Sequence, residues 1–85
     1  MIETWVVERG TAPFYAACVM VRGPYAIRRA RAIVRRLHAL GLSSAYVTDY
    51  YAGIPLGPKE WAVKWVEHER DPRVDALLKS LTTAA

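Results

Sequence analysis

One cysteine, one phenylalanine and two histidines are all that these 85 residues hold of three chemically distinctive types, and each shortage removes a class of chemistry. A lone thiol cannot close an intrachain disulfide. Cys18 sits among Ala16, Ala17 and Val19, the setting of a buried structural cysteine rather than a nucleophile. His38 and His68 are distant in sequence and neither has a cysteine nearby, so no zinc-ligand spacing exists. The chain has no glycine-rich phosphate loop and no nucleophile elbow. Glu67, Glu69, Asp71 and Asp75 lie close in sequence, but Asp71 suits a helix cap and Asp75 a first helical turn. The reading is a protein that is not an enzyme, with no metal, no cofactor and no catalytic residue.

Long apolar runs are missing as well. No segment approaches the roughly 20 residues of a membrane-spanning helix, and the acidic start, with Glu3 and Glu8, is unlike a signal peptide. The expectation is a cytoplasmic protein without a membrane partner. Residues 1–85 are too few for two cores and read as a single α+β domain. The 53% hydrophobic fraction is high for that size, which favours a homodimer that covers part of it.

The most informative absence is of acid. From residue 9 to residue 48 the chain carries seven arginines and no carboxylate, within a net charge of +4. Five of the arginines, Arg28, Arg29, Arg31, Arg35 and Arg36, fall in the segment Pro24–Leu40, which reads as an amphipathic helix. At helical spacing Ala26, Ile27, Ala30, Ile33, Val34, Leu37 and Leu40 share one arc, and all five arginines with His38 share the other. Arg28, Arg31 and Arg35 form one ridge, with Arg29 and Arg36 flanking it. Ala32 and Ala39 between them keep the relief low. No lysine or glutamate is interleaved, so the helix cannot make the i,i+4 ion pairs of an ordinary solvated face. The planar guanidinium fork suits phosphates and carboxylates. Arg35, Arg36 and His38 also complement the helix dipole, and a GC-rich genome would favour arginine over lysine, so a plain solvated face is the competing reading.

The rest of the chain gives the fold. Ile2–Arg9 and Phe14–Arg22 have strand composition around the turn residues Gly10-Thr11-Ala12-Pro13, and the second strand is apolar on both faces, as a central strand is. Pro24 suits the first helical position and Gly41 a left-handed C-cap. Ser44–Tyr51 reads as a strand, 52–58 as a proline-rich loop, and Glu60–Glu69 as a strand with Trp61, Val63 and Trp65 on one face. Asp71 and Pro72 open a last helix with Val74, Leu77, Leu78 and Leu81 in one stripe, and 82–85 is a frayed end. The order ββαββα, with a weak internal echo of strand plus helix, predicts a four-stranded antiparallel sheet with two helices on one face. That is a permuted ferredoxin-like arrangement.

Residues 18–47, CVMVRGPYAIRRARAIVRRLHALGLSSAYV, resemble the first strand, helix and second strand of a SPOR domain. The likeness rests on Val19 and Val21 at the strand end, the Gly23-Pro24-Tyr25 turn, Gly41, and Ala45-Tyr46-Val47. The order of elements over about residues 15–81 also matches. The resemblance implies a SPOR-like fold and binding of peptidoglycan glycan strands through the sheet face.

Two surfaces therefore compete. The first reading is a small regulatory binding protein, of the kind that phages also encode, docking its arginine helix on an acidic partner, either nucleic acid or an acidic protein. The second is the SPOR-like glycan-binding module. A small dimeric enzyme with a pocket between sheet and helices is a third. The aromatic residues Trp5, Tyr15, Tyr46, Tyr50, Tyr51, Trp61 and Trp65 are read as core or as a sheet-face homodimer interface before they are read as stacking platforms. The 53–58 loop, GIPLGP, is read as a rigid connection.

Overall fold

The computed structural model describes residues 2–9, 15–67, 69 and 71–81. The expected turn at 10–13, Phe14, His68 and the C-terminal 82–85 lie outside them. Eight elements follow in order: β1 (Glu3–Arg9), β2 (Tyr15–Arg22), α1 (Ala26–Ala39), β3 (Tyr46–Thr48), β4 (Tyr50–Tyr51), β5 (Ile54–Pro55), β6 (Glu60–Glu67) and α2 (Pro72–Leu81). The chain is an α+β structure with two helices and a four-stranded antiparallel sheet in the order β1-β2-β6-β3.

β2 is apolar on both sides because both sides are covered. Ala17, Val19 and Val21 face the helices with Val63 and Trp65 of β6, and they pack with Ala26, Ala30, Ile33 and Leu37 of α1 and Val74, Leu77 and Leu78 of α2. Cys18 and Met20 point the other way and form a second cluster with Ala62, against which Trp5, Val7, Tyr51 and Leu56 pack. Cys18 is fully buried, as its neighbours imply. The alternation expected of β6 is observed: Val19 pairs with Val63 and Ala17 with Trp65, so these share the helix side of the sheet.

Two expectations are corrected. Pro24 is not the first residue of α1, which starts at Ala26 with Tyr25 as its N-cap in the left-handed region (φ 59, ψ 28). The Gly23 N–H donates to Lys59 O and the Ala26 N–H to Gly23 O, closing a turn in which Pro24 and Tyr25 are the central residues. Proline at the first central position and positive φ at the second are the marks of a type II turn, which here takes precedence over an earlier helix start.

Nor is 44–51 one strand. β3 ends at Thr48, whose Oγ1 accepts the Tyr50 N–H at 3.1 Å, and the chain bends at Asp49. Tyr50 and Tyr51 then pair with Pro55 and Ile54 in a separate hairpin. Its turn residues, Ala52 (φ 52) and Gly53 (φ 78), both have the positive φ of a primed two-residue turn. The hairpin lays Tyr51 and Leu56 on the second cluster and so covers part of the sheet face opposite the helices.

The C-terminal end of α1 and the N-terminal end of α2 are closed as the sequence indicates. Gly41, at φ 93, lets its N–H reach His38 O while the Leu42 N–H reaches Leu37 O, the paired bonds of a Schellman motif. Asp71 caps α2, its Oδ1 accepting the Arg73 N–H at 2.8 Å.

Candidate docking face

The apolar stripe of α1 fixes where its arginines go. With Ala26, Ala30, Ile33 and Leu37 buried against the sheet, Arg28, Arg31, Arg35 and Arg36 are exposed and Arg29 is half-buried. Among the described residues, none of the five lies within ion-pairing distance of a carboxylate. Acids are available elsewhere and are used elsewhere: Glu3 pairs with Arg22 and Asp71 with Arg73, both at 2.8 Å.

The five do not have equal roles. Arg29 turns toward β1, where its Nε donates to Thr4 Oγ1 at 3.0 Å. Arg28 lies over the Tyr25 ring, 5.2 Å from its centroid, and that ring is itself 73% exposed. Arg36 lines a cleft between α1 and α2. Arg31 and Arg35 reach open solvent. From Arg28 to Arg35 the ridge spans about 10 Å along the axis at the usual helical rise.

Local energetics oppose this arrangement. α1 has no acid in its first turn, so Arg28 and Arg29 sit at the positive end of the helix dipole. Arg31 and Arg35 are an i,i+4 like-charge pair, which destabilises a helix by about 0.2–0.5 kcal/mol. Arg36 and His38 alone in the last turn have the favourable dipole placement. A ring nitrogen of His38, Nε2, is 2.9 Å from Ala45 O, a geometry that makes it the donor and ties α1 to the chain entering β3.

The opposite face of the sheet is the other exposed surface. Tyr46, Tyr50, Ile54 and Val66 are exposed there or on the hairpin beside it. Lys64 Nζ stands over the Tyr51 ring at 5.2 Å. A shallow depression of about 360 Å³ lies among Ala16, Ser44, Tyr46, Lys64 and Val66. A sheet-to-sheet dimer has only the part of this face that the hairpin leaves open. Tyr46 and Tyr50, both inside the expected strand Ser44–Tyr51, belong to different elements, while Trp65 is in the core.

Among the described residues no three of His, Cys, Asp and Glu gather as metal ligands, and no helix is long and apolar enough to cross a membrane. Compared with protein-family models, curated proteins and solved structures, the chain finds no match.

Proposed function

We propose that this protein is a small non-enzymatic binding module that docks the arginine face of α1 on an acidic macromolecule. One observation carries the reading. Arg28, Arg31 and Arg35 form an exposed ridge without carboxylate partners among the described residues, on a helix whose own stability that ridge lowers. A charge pattern that disfavours the isolated fold is accounted for when a polyanion neutralises it. The test is fluorescence anisotropy with labelled DNA, RNA and polyglutamate across a salt series. Affinity should fall linearly on a log–log plot, with a slope of about −0.9 per phosphate contact on duplex DNA. The triple change Arg28→Glu, Arg31→Glu, Arg35→Glu should abolish binding while circular dichroism stays native. Binding retained by the folded triple variant, or no nucleic acid and no acidic polypeptide bound at low salt, overturns the reading.

A second reading uses the sheet. We read the fold as a permuted ferredoxin-like sandwich of the SPOR-like kind, and the half-exposed Tyr46 beside the depression with Lys64 and Val66 favours a stacked sugar ring there. It predicts co-sedimentation with purified sacculi that Tyr46→Ala reduces and the triple arginine change leaves intact. A protein that stays in the supernatant rules this out.

A further inference from the structure

The cleft beside the arginine ridge distinguishes between acidic partners. The second half of α1 and the middle of α2 are separated by a groove of about 450 Å³ whose lining includes the apolar Ala39, Leu40, Ala76 and Leu77. Ala39 and Ala76 are exposed and Leu77 is buried, so the walls are short side chains above an apolar floor. Arginines stand on its lining from both helices. Arg36 carries no ion pair among the described residues. Arg73 is held by Asp71, with Nη2 at 2.8 Å from Oδ2, and the same Nη2 reaches Leu40 O at 3.2 Å. That contact ties α2 to the C-terminal end of α1. Its hydrogen bond and charge interaction with Asp71 raise the pKa of Arg73, so this cation is already paired and Arg36 is the lining arginine left to meet a ligand carboxylate.

An apolar slot set among cations, continuous with a cationic ridge, is complementary to an apolar side chain surrounded by carboxylates. We infer that the groove seats an apolar anchor residue of an acidic protein segment while Arg36 and the Arg28, Arg31, Arg35 ridge pair with the flanking carboxylates. This rests on the docking reading above and names its partner class. A flipped nucleobase is the weaker fit. No described lining residue is aromatic, so nothing stacks on a base, and the Ser80 hydroxyl already donates to Leu77 O at 2.6 Å.

The experiment selects binders to the full chain from a random-peptide display library, then measures synthetic winners by anisotropy. The winners should place a large apolar residue among aspartates or glutamates. Changing that residue to alanine should weaken binding by about tenfold or more, the effect of burying one such side chain. Ala76→Phe, which fills the groove from α2, should produce the same loss, and Ala39→Gln, a mild helix substitution from α1, provides a second obstruction. On either variant the peptide's apolar residue should no longer matter. Winners without an apolar residue, or groove variants that bind as well as wild type, overturn the inference. If no peptide binds but DNA does with a steep salt slope, the groove inference fails and arginine-helix docking stands. If neither binds, the docking reading itself has failed.

Discussion

Arg29 donates from Nε to the hydroxyl of Thr4 across 3.0 Å, and Thr4 is only 3% exposed. One of the five arginines therefore ties α1 to the edge strand β1. Thr4→Val keeps the shape and removes the acceptor, which should lower stability by about 1 kcal/mol. That corresponds to roughly 4–8 °C in melting temperature for a domain of this size. Arg29→Gln should lower the melting temperature comparably and affect polyanion binding less than Arg31→Gln does. Thermal circular dichroism with anisotropy on the same samples checks both. An unchanged melting temperature in Thr4→Val would remove the structural role assigned to Arg29.

Tyr25 occupies a left-handed backbone position that costs a side chain such as tyrosine about 1–2 kcal/mol. Its ring makes no burial in return, being 73% exposed, and instead lies against Arg28. Strain held at an exposed aromatic beside a candidate site points to use of that ring. Tyr25→Gly relieves the strain and adds about 0.5–1 kcal/mol of unfolded-state entropy, so the domain should be equally or slightly more stable. Polyanion affinity should nevertheless fall about two- to fivefold, the worth of an exposed cation–π contact that holds Arg28 in place. Weaker binding from a no less stable protein is the diagnostic combination. Unaltered affinity would make Tyr25 a turn residue only.

Gly41 isolates a purely conformational effect. Its φ is 93°, and nothing lies within 4 Å of where a Cβ would stand. Gly41→Ala meets no clash, so its destabilisation of about 1 kcal/mol should come from the left-handed backbone alone. Gly41→Asn should be milder, because asparagine tolerates that region better. Urea midpoints at constant m-value give the comparison. A larger loss for asparagine than for alanine would contradict the Schellman assignment.

Elements with a single strong period were legible in the sequence. α1 buries Ala26, Ala30, Ile33 and Leu37 at helical spacing, and β6 alternates as its tryptophans and valines indicate. The end of β3 was not legible, because Tyr and Val continue the strand pattern to Tyr51 while the break is made by a side chain, Thr48 Oγ1 on the Tyr50 N–H. Pattern also located the arginine ridge, since which residues share a helix face follows from spacing. It could not separate Arg29 from the rest, whose partner lies in β1, nor show the groove, which depends on how far α2 stands from α1. Tertiary distance has no local signature in the chain.

Among the described residues Glu67 is the most deeply buried charged side chain, 1% exposed and on the helix side of the sheet. Its Oε2 accepts the Trp65 indole N–H at 3.0 Å and its Oε1 accepts the Asp71 backbone N–H at 3.2 Å. One carboxylate thus satisfies a core tryptophan and the residue that caps α2. If the side chain becomes apolar, the buried Trp65 indole N–H and the part-buried Asp71 N–H both lose this acceptor, and a buried unsatisfied donor costs about 1–3 kcal/mol. Glu67→Leu should therefore destabilise the domain by several kcal/mol, enough to threaten folding in a protein this small. Glu67→Gln retains one acceptor oxygen and should destabilise it by about half as much. It also presents an amide N–H₂ to one of two donors, so the loss should appear in either Trp65 fluorescence or the helicity of α2. Near-ultraviolet and far-ultraviolet circular dichroism of Glu67→Gln, followed through urea, separate the two. A Glu67→Leu variant as stable as wild type would mean that hydrophobic packing at this site outweighs both hydrogen bonds.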